Sequence, residues 1–316
     1  MNAVTGYWCP AVAASEVGSR PVARTRFGQR LVFWRSGERV VCAPDRCPHR
    51  GAALSLGRVK DGVLACRFHG LEFAADGRCV GIPVEQDARI PDDFSLPTLP
   101  VVEADGYLWL WLGPETAPEA RPPLPRHAAL EGLHWGQSTT IWPAHYTRCI
   151  ENVCDFSHLP FVHRTTIGMG MGKRDRATRV EVEDVTGGFR AYLMRDGERT
   201  QCVEFLYPNL WLLTISERML MSAVFAPIDD DHTAVYGRTY YRRPLPGMKW
   251  LMNGYTRLSQ YLVFREDWPV VASQTPGDIR KADHEKLLPS DAPVIAYRKL
   301  HRAYRNNGAE LSFSRR

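Results

Sequence analysis

The spacing of apolar and polar residues divides the chain into two regions of different texture. Residues 1–113 contain short apolar runs of strand length, RLVFWR, RVVCAP, GVLACRF and GYLWLWL, separated by turn sequences such as SGE, KDG and ADG. Runs of β-branched and aromatic residues between Gly- and Asp-containing turns are typical of all-β modules. We therefore predict an N-terminal all-β domain over residues 1–113.

A proline-rich stretch separates this region from the rest of the chain. The sequence GPETAPEARPPLPR holds five prolines in fourteen residues, and such a density of proline sustains neither a helix nor a central strand. We predict a linker over residues 114–126 and a second domain over residues 127–316.

The second region mixes both kinds of element. FRAYLMR, LWLLTIS, MLMSAVFAPI and TAVYGRTYYRR are strand-like runs, and helices are expected near residues 145–159, 247–265 and 290–306. The pattern predicts an α+β protein, in which an all-β domain precedes a domain of helices and sheet.

Composition narrows the class of protein. The chain has 316 residues, 44% hydrophobic and 24% charged, with a net charge of +5 and scattered arginines. These values are those of a soluble globular protein without a nucleic-acid footprint. The N-terminal sequence lacks a basic stretch followed by a long apolar one, and the longest apolar run, YLWLWL, is strand-sized. We expect a cytoplasmic protein that binds neither nucleic acid nor membrane.

The eight cysteines are expected to be ligands and buried thiols rather than disulfides, because a cytoplasmic compartment is reducing. Five of them have no partner at ligand spacing and are interpreted as small core residues: Cys9, Cys42, Cys79, Cys149 and Cys202.

Residues 47–70, CPHRGAALSLGRVKDGVLACRFHG, contain two mixed pairs, Cys47-x-His49 and Cys66-x-x-His69. Structural zinc also takes four such ligands, but zinc fingers usually group their cysteines in one loop and their histidines on one helix. Two loops that each offer one thiolate and one imidazole favour a Rieske [2Fe-2S] cluster, in which two cysteines bind one iron and two histidines the other. A glycine follows each histidine closely and lets a tight loop form.

A second group of metal-type residues lies in CIENVCDFSHLPFVHRTTIG, residues 149–168. His158 and His163 are five residues apart, and Pro160 between them should end or kink a helix. That break would turn both histidines toward one point, while Asp155 and His158 would share a helix face. Two histidines and one carboxylate form the facial triad of non-haem Fe(II) oxygenases.

The segments CPHRGAALSLG, CRFHGLEFAADGRCVGIP and ARIPDDFSLPTLPVVEADGYLWLWLGP closely resemble the Rieske domain of Rieske non-haem iron oxygenases. HGLEFAADGRCVGIP is similar to the branch that contains vanillate O-demethylase and related monooxygenases. Phe68 stands where many members carry tyrosine, so a hydroxyl able to tune the cluster is absent there. The resemblance implies a catalytic domain of helices and antiparallel sheet, of the helix-grip type, and a cluster held by the four residues of the mixed pairs.

The resemblance also implies the residues of the second metal site. ENVCDFSHLPFVH is similar to the family's mononuclear-iron motif, which makes Asn152 and Asp155 catalytic and His158 and His163 iron ligands. FREDWPVVASQ resembles the family's late Glu-Asp segment and points to Asp267 as the third ligand, with Glu266 as its main competitor.

The function implied by the resemblance is that of a terminal oxygenase of a monooxygenase system. It would use O₂ and electrons to hydroxylate or oxidatively demethylate a small organic substrate, aromatic or natural-product-like. The glycine-rich fingerprint of flavin or nicotinamide sites is missing from the sequence, so a separate NAD(P)H-dependent reductase or ferredoxin is expected. Ring cis-dihydroxylation is the alternative chemistry. A Rieske electron carrier and a zinc-organised binding protein are the alternatives of another class.

Members of the family that resemble this chain assemble as head-to-tail homotrimers, and the same is expected here. Asp155 would then bridge an iron-ligand histidine and a cluster histidine of the neighbouring chain. The substrate remains open at this stage. Five apolar residues of the second region suit either an apolar pocket or the core of a sheet: Phe205, Tyr207, Trp211, Met219 and Met221.

Overall fold

The structure, a computed structural model, describes residues 6–85, 89–91, 93–167, 179–216, 219–242 and 246–305. Its strands are β1 (Tyr7–Ala13), β2 (Val22–Arg26), β3 (Gln29–Ser36), β4 (Arg39–Pro44), β5 (Arg58–Lys60), β6 (Val63–Ala65), β7 (Glu72–Phe73), β8 (Cys79–Gly81), β9 (Val101–Ala104), β10 (Tyr107–Leu112), β11 (His134–Trp142), β12 (Arg179–Val185), β13 (Gly188–Arg195), β14 (Glu198–Leu206), β15 (Leu210–Ser216), β16 (Met219–Pro227) and β17 (Thr233–Tyr241). Its α-helices are α1 (Tyr146–Cys154), α2 (Leu159–Val162), α3 (Met248–Ala272) and α4 (Ala292–Arg305).

The described residues divide into two compact units, one extending to Arg121 and the other beginning at Pro122. The first contains only antiparallel sheets, with strand orders β1-β10-β9, β2-β3-β4 and β5-β6-β7-β8. The second contains one antiparallel sheet of seven strands, β11-β17-β16-β15-β14-β13-β12, together with the four α-helices. The division falls inside the predicted linker, and the domain limits at residues 113 and 126 stay predictions.

Strand β3 organises the core of the first unit. Successive side chains of a strand point to opposite faces. Leu31 and Phe33 accordingly lie in one buried apolar cluster, and Val32 and Trp34 lie in another. The second cluster also contains Cys47 and Cys66. The loops that carry these two cysteines are therefore fixed to a rigid apolar core.

In the second unit, α3 lies across one face of the seven-stranded sheet. The ring of Trp142 on β11 packs edge-on against Phe264 of α3, with centroids 5.0 Å apart. Phe205 on β14 packs in the same way against Tyr297 of α4, at 5.2 Å. A large antiparallel sheet with helices packed on it is the predicted helix-grip type of domain, and the predicted α+β fold class is confirmed.

The helix and the sheet approach most closely at Gly237 on β17. A Cβ atom added there would collide with the side-chain amide of Gln260 on α3. The Oε1 atom of the same amide accepts a hydrogen bond from the Ser138 hydroxyl of β11. Glycine at position 237 thus sets the distance between α3 and the sheet.

A buried ionic network fixes α1 to α4. Arg148 of α1 contacts Glu151 at 2.8 Å and Glu285 at 2.5 Å, and Arg298 of α4 contacts the same two carboxylates at 2.5 and 2.6 Å. Burial disfavours a charged Glu285, but hydrogen bonds from the two guanidinium groups outweigh it and lower the pKa of Glu285. The network fixes the helix whose C-terminal end leads into the second metal-type segment.

The strand-like runs of the sequence form strands, but two helix predictions need correction. The helix expected over residues 145–159 ends at Cys154, and Pro160 lies in the first turn of the separate helix α2. The helix expected to end at residue 265 continues to Ala272 and contains Pro269.

Three of the five cysteines expected in the core, Cys9, Cys42 and Cys149, are buried, whereas Cys79 and Cys202 are only half-buried. Phe205 and Tyr207 are buried, and Met219 is 46% exposed. Within the described ranges, no helix combines the length and the apolar character needed to cross a membrane.

Candidate metal centres

The two mixed Cys/His pairs lie on loops with the same backbone hydrogen bonds. In each loop, the amide of the glycine four residues after the cysteine donates to the cysteine carbonyl, at 2.9 Å for Gly51 and 3.0 Å for Gly70. The amide of each cysteine, Cys47 and Cys66, donates to the carbonyl of the residue after that glycine, at 2.8 Å in both loops. The loops are thus matched in backbone structure, although their Cys–His spacings differ by one residue.

The glycines are required by the backbone conformation of these turns. Gly51 has φ of 72° and Gly70 has φ of 77°, values in the left-handed region that residues with a Cβ atom adopt only at a cost. The sequence interpretation of these glycines as tight-turn residues agrees with the geometry.

The loops bring two thiols and two imidazoles together. Cys47 and Cys66 are 2% and 3% exposed, and burial raises the pKa of the Cys47 thiol to about 11. The rings of His49 and His69 lie 4.7 Å apart, centroid to centroid. His69 Nδ1 is buried and has no hydrogen-bond partner among the described residues. Buried sulfur on one side and an unpaired imidazole nitrogen on the other fit a cluster with two Cys and two His ligands.

Asp155 ends α1 and organises the turn that leads into the second site. Its carboxylate accepts hydrogen bonds from the amides of Ser157, at 2.6 Å, and His158, at 3.2 Å. Burial works against the charged form, but hydrogen bonds from these neighbours outweigh it and lower the pKa of Asp155. A short polar side chain that satisfies backbone amides in this way competes with the helix. The chain therefore turns at Asp155, before the proline at which the sequence predicted the break.

The expectation that Asp155 and His158 share one helix face is wrong, because Asp155 follows α1 and His158 precedes α2. The two side chains are nevertheless close. Asp155 Oδ2 lies 3.4 Å from His158 Nδ1. The turn achieves the proximity that the sequence assigned to a helix.

Three side chains converge on one point in the second unit. His158 Nε2 and His163 Nε2 are 3.2 Å apart, and Asp267 Oδ1 of α3 lies 3.7 and 3.2 Å from them. All three ligand-type atoms lie within 4.8 Å of one another. Asp267 is 2% exposed, and its Oδ1 atom accepts no hydrogen bond from any described residue.

This donor set fits a divalent iron. A buried carboxylate oxygen without a hydrogen bond is costly, and a cation between it and the two imidazoles removes that cost. Two imidazole nitrogens and one carboxylate oxygen on one side of an ion form the 2-His-1-carboxylate arrangement that leaves the other positions open.

Glu266 is adjacent to Asp267 but points to different partners. Its carboxylate lies 3.0 Å from His163 Nδ1 and accepts hydrogen bonds from the hydroxyls of Thr165 and Thr166. Burial opposes the charged form, but these hydrogen bonds outweigh it and lower the pKa of Glu266 to about 2. The structure therefore brings Asp267, rather than its predicted competitor, to the Nε2 atoms. A carboxylate on Nδ1 directs the Nε2 lone pair toward a metal.

Asn152 contributes to the same segment through its backbone. It lies on α1, and its carbonyl accepts a hydrogen bond from the Asp155 amide at 3.3 Å. Its predicted catalytic role remains a prediction. The sequence did not identify Thr165 and Thr166, whose hydroxyls fix Glu266. Their position two and three residues after His163 was the only available signal.

Both units match known families. The family described as Rieske [2Fe-2S] domain matches residues 7–100, and the vanillate O-demethylase oxygenase C-terminal domain family matches residues 142–307. The putative toluene-4-sulfonate monooxygenase system iron-sulfur subunit TsaM2 of Comamonas testosteroni is 36% identical over 169 residues, 52% of this chain and 48% of that protein. A vanillate O-demethylase oxygenase subunit of Pseudomonas sp. (strain HR199 / DSM 7063) is 32% identical over 183 residues, 56% and 50% of the two chains. This chain thus spans about half the length of these relatives.

Solved structures are similar over nearly the whole chain. NdmA of Pseudomonas putida CBB5 superposes with a TM-score of 0.78 at 25% identity, covering 98% of this chain and 97% of that one. Dicamba monooxygenase bound to dicamba has the same TM-score at 21% identity, with 97% and 99% coverage. At 21% identity, the similarity to dicamba monooxygenase is evidence for the fold only.

Proposed function

The chain belongs to the Rieske non-haem iron oxygenases, in the branch of the vanillate O-demethylase oxygenases, and on that premise we propose that it is a terminal oxygenase. Its cofactors are a Rieske [2Fe-2S] cluster and a mononuclear non-haem iron. The proposed reaction uses O₂ and electrons from a separate NAD(P)H-dependent reductase or ferredoxin. It hydroxylates or oxidatively demethylates a small aromatic or natural-product-like substrate.

The convergence of His158, His163 and Asp267 carries this proposal. An electron carrier has no use for a second metal site. A zinc-organised binding protein does not explain a three-ligand site with open metal positions, whose ligand side chains are only 2–15% exposed. In the proposed oxygenase, Cys47 and Cys66 hold one iron of the cluster and His49 and His69 hold the other. The three converging residues hold the mononuclear iron, which when bound activates O₂ beside the substrate.

The protein's own groups prepare this site. Glu266 accepts the hydrogen bond of His163 Nδ1–H, which places the lone pair of the neutral imidazole on Nε2 and makes that nitrogen a more basic ligand, and Thr165 and Thr166 hold Glu266 in place. His163 and Asp267 are buried, so bulk solvent has little access to these two ligand side chains. A dry site strengthens their electrostatic interaction with a cation.

Monooxygenation is proposed ahead of ring cis-dihydroxylation, because the two sequence relatives described above are named as a monooxygenase subunit and a demethylase subunit. Purified protein supplied with a reductase, NADH and O₂ is tested against aromatics, methyl ethers, methylamines and polycyclic natural products. Product masses separate a gain of one oxygen, a net loss of one CH₂ and a gain of two hydroxyl groups. A colourless preparation with one zinc per chain after anaerobic expression would contradict the proposal.

We further propose a cytoplasmic homotrimer with domains 1–113 and 127–316 joined by the linker 114–126. In a head-to-tail ring, Asp155 receives an imidazole N–H from the iron-ligand side and another from a cluster histidine of the next chain. Two features support this role. Asp155 Oδ2 lies near His158 Nδ1, and 21% of the Asp155 side chain is exposed, so the carboxylate has room for a second donor.

Asp155→Asn tests the bridge while keeping an oxygen for the Ser157 amide. We expect the variant to keep both metals and the trimer but to lose nearly all turnover. Its one oxygen is used by the Ser157 amide, and the NH2 group that replaces the other oxygen can only donate, so it cannot accept an imidazole N–H. Rapid mixing should show that the reduced cluster no longer reoxidises with O₂ and substrate. Asp155→Ala, which removes the whole carboxylate, is tested alongside, and Asp76→Asn is the matched surface control. Normal reoxidation in Asp155→Asn, or a fully active monomer, would refute the bridge.

A further inference from the structure

A cleft of ≈ 370 Å³ opens beside the second cluster loop. Its lining includes Leu56 and Arg58 from one side, and Cys66, Arg67 and Gly70 from the loop itself. Of the four cluster-type residues, only Cys66 lines it. The cleft therefore gives a partner protein a close approach to a cluster ligand.

No carboxylate of the described residues neutralises the two arginines that line this cleft. Four arginines elsewhere in the unit form ion pairs with carboxylates: Arg24, Arg30, Arg35 and Arg78. Arg58 and Arg67 are exposed, and neither makes an ion pair with any residue the structure describes. Two basic groups without internal partners leave a positive potential at the mouth of the cleft.

Lys60 adds to that potential, since it follows Arg58 on the same face of β5. The nearby acidic residues are Asp61, in the turn after β5, and Glu72, which pairs with Ala65 in the sheet. Three basic side chains, Arg58, Lys60 and Arg67, against these two acidic ones leave the surface net positive.

An exposed apolar side chain lies beside these charges. Leu56, which lines the cleft, is 62% exposed. Arginine and apolar side chains together are typical of the centres of protein–protein interfaces.

We propose that this cleft, formed around Leu56, Arg58, Cys66 and Arg67, is the docking surface of the electron donor, a small acidic one-electron carrier protein or domain. The inference rests on the proposed function, because it needs Cys66 to be a cluster ligand. In the transfer, one electron leaves the reduced donor, which is thereby oxidised by one electron, and reduces the oxidised cluster. Acidic groups of the donor pair with Arg58 and Arg67, and its apolar surface contacts Leu56.

The test uses the full-length holoprotein and a purified acidic [2Fe-2S] ferredoxin, chemically reduced, as the probe. Stopped-flow absorbance follows cluster reduction at several ionic strengths. For wild type we expect the second-order rate to rise as salt falls. The double variant Arg58→Glu/Arg67→Glu should reduce that rate about 10- to 100-fold at low salt and abolish its rise, because electrostatic steering of association is of this size. The neutral pair Arg58→Gln/Arg67→Gln should fall between them.

The control is Arg20→Glu, which makes the charge change of one of the two substitutions at an exposed position. Arg20 follows Val17, which lies in the apolar cluster that does not contain Cys47 or Cys66. The rate of this control should stay within about twofold of wild type. The visible spectrum should be equal in all variants. Because the added negative charge beside Cys66 lowers the cluster potential, the potential is measured in each variant, and the deciding comparison is how the rate depends on salt, which a shift in potential does not reproduce.

The outcomes distinguish failure of the docking surface from failure of the proposed function. A wild-type rate that does not rise as salt falls, a double variant that reduces as fast as wild type, or an equal loss in Arg20→Glu overturns the docking surface. A chain that assembles no cluster refutes the proposed function itself. If oxygenase turnover is normal in the double variant with the donor present, the proposed function survives and only the docking inference fails.

Discussion

The two metal centres of this chain are built in opposite ways. The four cluster-type residues lie within residues 47–70, on loops shaped by backbone hydrogen bonds and two left-handed glycines. The predicted iron ligands come from two distant segments: His158 and His163 flank the short helix α2, and Asp267 lies on α3 more than a hundred residues later. Backbone geometry fixes the first centre locally, whereas the second depends on tertiary packing and on side-chain hydrogen bonds.

This difference predicts different sensitivities to mutation. A centre whose ligands are oriented by backbone atoms tolerates changes in neighbouring side chains. A centre oriented by Glu266, Thr165 and Thr166 should respond to changes one contact away from the metal.

The largest effect is expected at Asp267. Asp267→Ala removes the only carboxylate oxygen of the converging set, so the chain should lose its mononuclear iron and its turnover while the red-brown cluster remains. Iron analysis per chain and the visible spectrum measure the two centres separately.

Glu266→Gln is the matched comparison, because it changes the adjacent residue but keeps a hydrogen-bonding side chain. We expect iron affinity to fall about 10- to 100-fold rather than to vanish. If Glu266→Gln loses all mononuclear iron and Asp267→Ala keeps it, the assignment of the third ligand to Asp267 is wrong.

The next effect concerns the cluster. His69→Cys replaces a neutral imidazole by a thiolate and adds negative charge, so the potential should fall on the order of 100 mV or more if the cluster assembles. Spectroelectrochemical titration measures it. Phe68→Leu, next to the same ligand, changes no charge and should shift the potential much less. A potential that rises in His69→Cys would exclude His69 as a ligand.

The smallest effect is expected at the turn of the cluster loop. Gly70→Ala forces a Cβ atom into φ of 77°, while its nearest neighbour, Pro83 Cγ at 3.4 Å, is at ordinary contact distance. The cost is therefore backbone strain of about 1 kcal/mol, measured by denaturant unfolding of the loaded protein. Gly18→Ala, with no atom within 4 Å of the added Cβ, should be close to neutral. Equal losses in both variants would contradict the strain argument.

The contrast also explains what the sequence could predict. The cluster residues and the turn glycines were accessible because ligand spacing and loop conformation are local properties. The positions of most strands followed from alternation and turn residues for the same reason. The end of the first helix was predicted at Pro160 but lies before Asp155. The sequence alone does not show that the Asp155 side chain accepts hydrogen bonds from the following backbone amides and so ends the helix.

The choice between Glu266 and Asp267 lay beyond spacing as well. The two residues are adjacent on α3, and their directions differ by the rotation of one helical residue. Which of them meets the histidines depends on how α3 is seated on the sheet, a property of residues far away in sequence. Resemblance favoured Asp267, and the packing of α3 provides the physical basis for that preference.

The close packing at Gly237 has a mechanical consequence for that seating. Gln260, which occupies the space a side chain at 237 would need, lies two helical turns, about 10 Å, before Asp267 on α3. A bulkier residue at 237 would displace α3 at Gln260, and because a helix is stiff, the displacement would also move the Asp267 carboxylate. Small substitutions at Gly237 therefore offer a way to change the distance between the Asp267 carboxylate and the two histidines without altering any residue that contacts the metal.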